Sequence, residues 1–200
     1  MFDYFAVVYF FLVNGTYLFL NIKAFFSIRK YWSTRETIEL ENMFQSEFYK
    51  PVSIIIPAFN EELTIVDNII SILSLHYPEY EVVVVNDGSK DSTIDELKDR
   101  FNLVPSSRSY RNDLETQPVR EVYDSADYPN LVVVDKENGG KADALNAGIN
   151  IAQFPLVCNV DADSLIDDHA LFKIVEPFSK DWRVVAAGGT IRVANDCEIR

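Results

Sequence analysis

Apolar residues run without a single charge from Tyr4 to Ile22, and Lys23, Arg29 and Lys30 follow the run. These 19 residues would reach roughly 28 Å as a helix at about 1.5 Å per residue, close to the hydrocarbon thickness of about 30 Å. Asn14, Gly15 and Thr16 interrupt the run, and small or hydroxylated residues are tolerated inside membrane helices. The basic residues lie behind the apolar stretch instead of ahead of it, which predicts an uncleaved anchor over residues 1–30. The same asymmetry predicts an N-terminus outside and the remainder on the cytoplasmic side of the cell membrane. Over residues 31–50, Leu40, Met43, Phe44 and Phe48 fall at helical spacing among Glu36, Glu39, Glu41 and Glu47. That pattern predicts an amphipathic connector docked on the domain that follows.

From residue 51 the period changes. Val52–Ile56, Val82–Val85, Leu131–Val134, Leu156–Val160 and Val184–Ala187 are short β-rich runs, and polar turns separate each from the next helical pattern. Helices are predicted after Asn60-Glu61-Glu62 (apolar face Ile65, Ile69, Ile72, Leu73), over Asp91–Phe101, over Ala142–Ala152 and over His169–Phe178. Strand alternating with helix predicts an α/β domain over 51–200, a mostly parallel sheet flanked by helices on both faces. Residues 104–130 break the rhythm with Pro105, Pro118 and Pro129, and are predicted to be an inserted loop with a short strand at Val119–Tyr123.

Composition narrows the class. The chain carries 31 Asp and Glu against 18 Lys and Arg, for a formal charge of −13. Such a chain repels phosphate backbones, which argues against nucleic acid as a partner. Two cysteines outside any CxxC array exclude a disulfide framework and a structural zinc site.

Ligands of open α/β sheets gather at the C-terminal ends of the strands. Pro57, Asn60 and Glu61 follow the first strand, Asp87 the second, Lys141 the third, and Asp161 and Asp163 the fourth. Asp161-Ala162-Asp163 places two carboxylates at i, i+2, which in extended backbone share a face and repel unless a cation neutralises them. Mg²⁺ or Mn²⁺ suits such a pair, with substrate phosphates completing its sphere; helix capping and turn chemistry use the same residues. Asn86-Asp87-Gly88-Ser89 reads as a tight turn, and Asp87 as an acceptor for a base or ribose. Gly139-Gly140-Lys141 precedes a helix, where backbone N–H groups and the lysine favour an anion. It lacks the spaced glycine of a Walker A loop, and GxGxxG is absent.

The motifs Pro57-Ala58-Phe59-Asn60-Glu61-Glu62, Val85-Asn86-Asp87-Gly88-Ser89, Asn138-Gly139-Gly140-Lys141-Ala142-Asp143-Ala144-Leu145-Asn146 and Asp161-Ala162-Asp163-Ser164 stand in a familiar order. In that order they resemble the family 2 glycosyltransferases of GT-A fold. The processive membrane members, which make cellulose, chitin, hyaluronan or poly-N-acetylglucosamine, are most similar. The resemblance implies inverting transfer from a nucleotide sugar, usually a UDP-sugar, to a glycan or lipid acceptor, assisted by Mg²⁺ or Mn²⁺. It implies that Pro57, Ala58, Asn60, Glu61 and Asp87 hold the nucleotide and that Gly140 and Lys141 approach the diphosphate or sugar. Asp161 would contact the ribose or the metal complex, and Asp163 would ligate the metal. The family's later acidic motif and its Gln-x-x-Arg-Trp motif do not occur before Arg200. The general base is therefore expected beyond Arg200, and the chain is expected to be the donor half of a longer enzyme. A non-catalytic, membrane-anchored subunit that binds a sugar nucleotide is the alternative.

Overall fold

The computed structural model describes residues 2–35 and 50–189, which fall in two units, residues 1–47 and 48–200. The first unit is a helix, α1 (Phe2–Arg35). Within it Tyr4–Arg29 is long and apolar enough to cross a membrane, and Phe5, Phe11 and Leu12 are exposed. Its polar interruptions are satisfied internally: Asn14 Nδ2 donates to the Phe10 carbonyl at 2.8 Å and Thr16 Oγ1 to the Leu12 carbonyl at 2.8 Å. Bonding back to the i−4 carbonyl removes the need for water at those groups. The amphipathic connector expected around Leu40–Phe48 lies outside the described residues.

The second unit is a six-stranded sheet with helices, built in the order β1 (Val52–Ala58), α2 (Ile65–Leu73), β2 (Tyr80–Asp87), α3 (Thr93–Arg100), β3 (Leu103–Pro105), β4 (Val119–Ser125), β5 (Leu131–Lys136), α4 (Lys141–Ile151), β6 (Leu156–Asn159) and α5 (Ala170–Lys180). The strands lie in the order β3-β4-β5-β2-β1-β6. β5, β2, β1 and β6 are parallel, and β3 and β4 join as an antiparallel pair. Central strands β1, β2 and β5 are buried along nearly their whole length. This explains their unbroken Val/Ile runs: both faces are covered, so no alternation with polar residues is required. On one face Ile55, Val83, Val85, Val132 and Val134 pack with Ala144, Ala147 and Ile151 of α4. α4 sits close because Gly148 has no side chain; a Cβ there would stand 2.4 Å from Ile55 Cγ2.

The short strand expected at Val119–Tyr123 is present as β4; what the expectation of an inserted loop over residues 104–130 omitted is its antiparallel partner, Leu103–Pro105, and the pair extends the sheet. Arg108 of this segment pairs with buried Glu81 at 3.1 Å, which itself accepts from Ser53 Oγ and the Gln153 N–H at 2.6 Å each. Asn150 fastens the same segment through both directions of its bond with Leu114. The expected strand Val184–Ala187 is not one; these residues are irregular and Val185 is 92% exposed. An apolar run makes a strand only where a neighbouring edge receives its backbone groups, and none does so among the described residues.

Candidate functional site

The chain passes from β1 outward to β2 and β5, then returns through α4 to β6 on the other side of β1. Above that reversal, at the C-terminal ends of the strands, lies a cleft of about 540 Å³. It is lined by Pro57, Ala58, Phe59, Glu61, Asp87, Asn138, Gly140, Lys141, Ala144, Asp161, Ala162 and Asp163. Every site residue expected from the sequence except Asn60 therefore meets in one place.

Asn60 lies outside the lining and joins two loops beside it. It sits at φ 57°, a left-handed conformation that asparagine tolerates better than most residues. Its Oδ1 accepts from the Lys90 N–H at 2.8 Å, and its own N–H donates to Ser89 Oγ at 3.0 Å. Beside it the Glu61 N–H donates to Thr93 Oγ1, the Glu62 N–H to Asp91 Oδ2, and the Ser92 N–H to Glu62 Oε2. These bonds stitch the loop after β1 to the loop after β2. Burial is the largest single influence and raises the pKa of Asp91, but the hydrogen bonds donated by Thr93 and Glu62 together outweigh it and hold this carboxyl below the usual range.

Asp87 ends β2 and is 3% exposed. Its Oδ1 accepts from Lys136 Nζ at 2.8 Å and from the Gly139 N–H at 3.0 Å. Its Oδ2 accepts from Asn138 Nδ2 at 3.2 Å and from the Gly140 N–H at 2.7 Å. A carboxylate offers about four lone-pair sites, so the positions expected to receive a base or ribose are taken by protein donors in this structure. What Asp87 does here is hold the loop before α4. Gly88 lets that loop approach, because a Cβ on it would lie 2.7 Å from the Asn138 nitrogen. Gly140 is the N-cap of α4 at φ 88°, ψ 169°, a region that only glycine occupies readily. Lys141 follows as the first residue of α4 and lines the cleft with Gly140 and Ala144, so the end of the helix at which N–H groups lack intrahelical partners borders the cleft.

Sequence reasoning missed Lys136, whose side chain is fully buried between Asp87 and Asp143. A signal was present. Val83, Val85 and Asp87 share one phase of β2, and Val132, Val134 and Lys136 the same phase of β5. The register sets Asp87 opposite Lys136, so the two charges crown the apolar stripe covered by α4. It also missed Asn68 of α2, whose Nδ2 donates to the Ala162 carbonyl at 2.6 Å and fixes the turn that carries the two aspartates.

β6 ends at Asn159, and 161–164 form a turn closed by the Ser164 N–H on the Asp161 carbonyl at 3.0 Å. The extended geometry expected for Asp161-Ala162-Asp163 is therefore replaced by a turn, yet both aspartates still line the cleft while Ala162 is buried between them. Lys141 Nζ pairs with Asp161 Oδ1 at 2.6 Å. No group of three or more His, Cys, Asp or Glu arranged to hold a metal occurs among the described residues. Two hard carboxylate oxygens facing a cleft nevertheless fit Mg²⁺ or Mn²⁺ of the kind that takes its remaining ligands from phosphate and water. They do not form a cage of their own.

A reversed, mostly parallel α/β sheet with a helix N-terminus, a lysine and paired carboxylates around one cleft is a fold of GT-A type. A mannosyltransferase from Pyrobaculum calidifontis, solved in complex with GDP-Man and Mn²⁺, shares this fold with a TM-score of 0.52 at 25% identity, over 66% of this chain and 33% of that one. Residues 53–198 match Glycosyl transferase family 2, and the chain belongs to that family. It is 34% identical over 149 residues to a poly-beta-1,6-N-acetyl-D-glucosamine synthase of Staphylococcus epidermidis. It is 30% identical over the same length to the synthase of that name in Staphylococcus aureus. The matched regions cover 74% of this chain and 30% of each relative.

Proposed function

We propose that this chain binds a nucleotide sugar, with UDP as the nucleotide, and forms the donor side of an inverting glycosyl transfer. The acceptor is a glycan or lipid at the cytoplasmic face of the cell membrane, with α1 as the anchor. The observation that carries this reading is convergence: Pro57, Ala58, Glu61, Asp87, Gly140, Lys141, Asp161 and Asp163, drawn from four separate motifs, line one cleft. The two staphylococcal relatives point to an N-acetylhexosaminyl group as the sugar.

Pro57, Ala58 and Glu61 border the nucleoside, and Asp87 contributes through the loop it holds. Lys141 and the N-terminus of α4 face the diphosphate, where a positive point charge and unpaired N–H groups stabilise the leaving anion. Asp161 and Asp163 would hold the divalent ion, which when bound acts as a Lewis acid on the departing diphosphate. The base that inversion requires at the acceptor hydroxyl is not assigned to any of these residues.

The test is calorimetric titration of UDP into the full chain in detergent, with and without Mn²⁺, beside an Asp161→Asn/Asp163→Asn variant whose folding is checked by circular dichroism. Binding is expected to need Mn²⁺ and to weaken at least about tenfold in the variant, roughly 1.4 kcal/mol. Metal-indifferent binding would overturn the metal assignment and favour the non-catalytic sugar-nucleotide subunit. No binding by the folded chain would overturn the donor site.

A further inference from the structure

We propose that Lys136 is a positioning residue of the donor cleft, aiming the Gly139–Lys141 loop at the diphosphate without touching the ligand. The inference rests on the donor-site reading above. Lys136 does not line the cleft; its side chain is 0% exposed, and Phe101 is the only larger side chain among those most deeply buried. A lysine is rarely left in such a place, because removing an ammonium from water is unfavourable unless opposite charge and hydrogen bonds replace the water.

Here the replacement is complete. Nζ lies 2.8 Å from Asp87 Oδ1 and in ionic contact with Asp143 Oδ1, and it donates to the Glu137 carbonyl. Asp143 Oδ1 receives no conventional hydrogen bond, so the ammonium alone balances it. Its other oxygen accepts from the Gln117 N–H at 2.9 Å, tying in the segment before β4.

The consequence runs through Asp87 and Asp143 to the loop. Asp87 holds the Gly139 and Gly140 N–H groups, which determines where α4 starts and where Lys141 stands. Asp143 lies in the first turn of α4 and packs against Gly139 so closely that a Cβ there would fall 2.4 Å from Asp143 Cγ. Lys136 thus joins the end of β2, the end of β5 and the first turn of α4 at one point. Without its charge, two carboxylates would face each other behind the place proposed for a diphosphate, and each would raise the cost of holding that anion. The nucleoside end of the cleft, at Pro57, Ala58 and Glu61, has no hydrogen bond to this cluster among those the structure shows.

The prediction is selective. In Mg²⁺, Lys136→Met should lose tenfold or more of its UDP affinity by calorimetry. Its affinity for uridine, followed by saturation-transfer NMR, should change by no more than about twofold, and circular dichroism should match the unmodified chain. Asp143→Asn removes one of the two carboxylates through which Lys136 reaches the loop and should lose about threefold in UDP affinity with uridine binding unchanged; uridine binding that falls with it overturns the inference. A merely structural lysine would give a different result: UDP and uridine affinities falling in proportion, or a Lys136→Met chain that does not fold. Either overturns the inference, as does unchanged UDP binding in Lys136→Met. An unmodified chain that binds neither ligand defeats the donor reading itself, and this inference with it.

Discussion

At the scale of single residues, the loop before α4 depends on what glycine permits. Gly140 at φ 88°, ψ 169° meets nothing within 4 Å where a Cβ would stand. Its requirement is therefore conformational and not steric. Gly140→Ala is expected to destabilise the fold by about 1–3 kcal/mol, the usual cost of holding a side chain in that region. Urea unfolding of the full chain, followed by circular dichroism, measures it; an unchanged midpoint would show that the loop relaxes at no cost. The positions of Asp87, Lys141, Asp161 and Asp163 beyond the strand ends were readable from the sequence because each follows an apolar run. What each side chain bonds to was not. Asp87 and Asn60 look like ligand contacts in a linear reading; Asp87 lines the cleft and also clamps the loop before α4, while Asn60 lies outside the lining and stitches two loops. Lys136 escaped notice because buried lysines are rare, although its phase on β5 marks it as core-facing.

Secondary-structure elements were legible where periodicity and burial agree. β1, β2, β5, α2 and α4 match their apolar patterns, because a fully covered strand and an amphipathic helix leave distinct signatures. β3 was not legible: three residues ending in Pro105 form a strand only because β4 lies beside them. Val184–Ala187 shows the converse, apolar residues with no edge to join among the described residues. The loops after β1 and β2 act as a unit through Asn60, Glu62, Asp91 and Thr93, and pH probes that unit. The Asp91 carboxyl is held below its ordinary value, so ionised Asp91 adds stability that is fully present above the unfolded value of about 3.9. That contribution disappears as pH falls through the folded value. Asp91→Ala should therefore lower the denaturation midpoint at pH 7, and the gap to the unmodified chain should shrink steadily below about pH 4. A gap of constant size across that range would show that charge is not what Asp91 contributes.

At the scale of the whole chain, α1 and the sheet domain have separate physical assignments. No residue of the apolar window of α1 is buried, which suits hydrocarbon better than water. A charge at its centre should be costly, about 2.5–3.5 kcal/mol for arginine by insertion scales. Val13→Arg is thus expected to shift the chain out of the fraction that resists alkaline carbonate extraction, while a Val13→Leu control stays in it. Equal retention of both would remove α1 from the membrane. The matched region spans 30% of the length of the staphylococcal relatives.

The Lys141–Asp161 bridge has a consequence for how an anion enters so acidic a molecule. With a formal charge of −13, the chain as a whole opposes a diphosphate, and the cleft lysine is already engaged at 2.6 Å. On the donor reading proposed above, occupancy would be a metathesis and not a simple docking event. The lysine would exchange a carboxylate for a phosphate, and Asp161 would exchange the lysine for a cation. Either half performed alone would leave a like-charged pair, the freed aspartate beside the anion or the freed ammonium beside the metal. Cation and nucleotide would then favour each other through this one side-chain contact, with Asp161 serving as the tethered counter-ion of the lysine until both arrive.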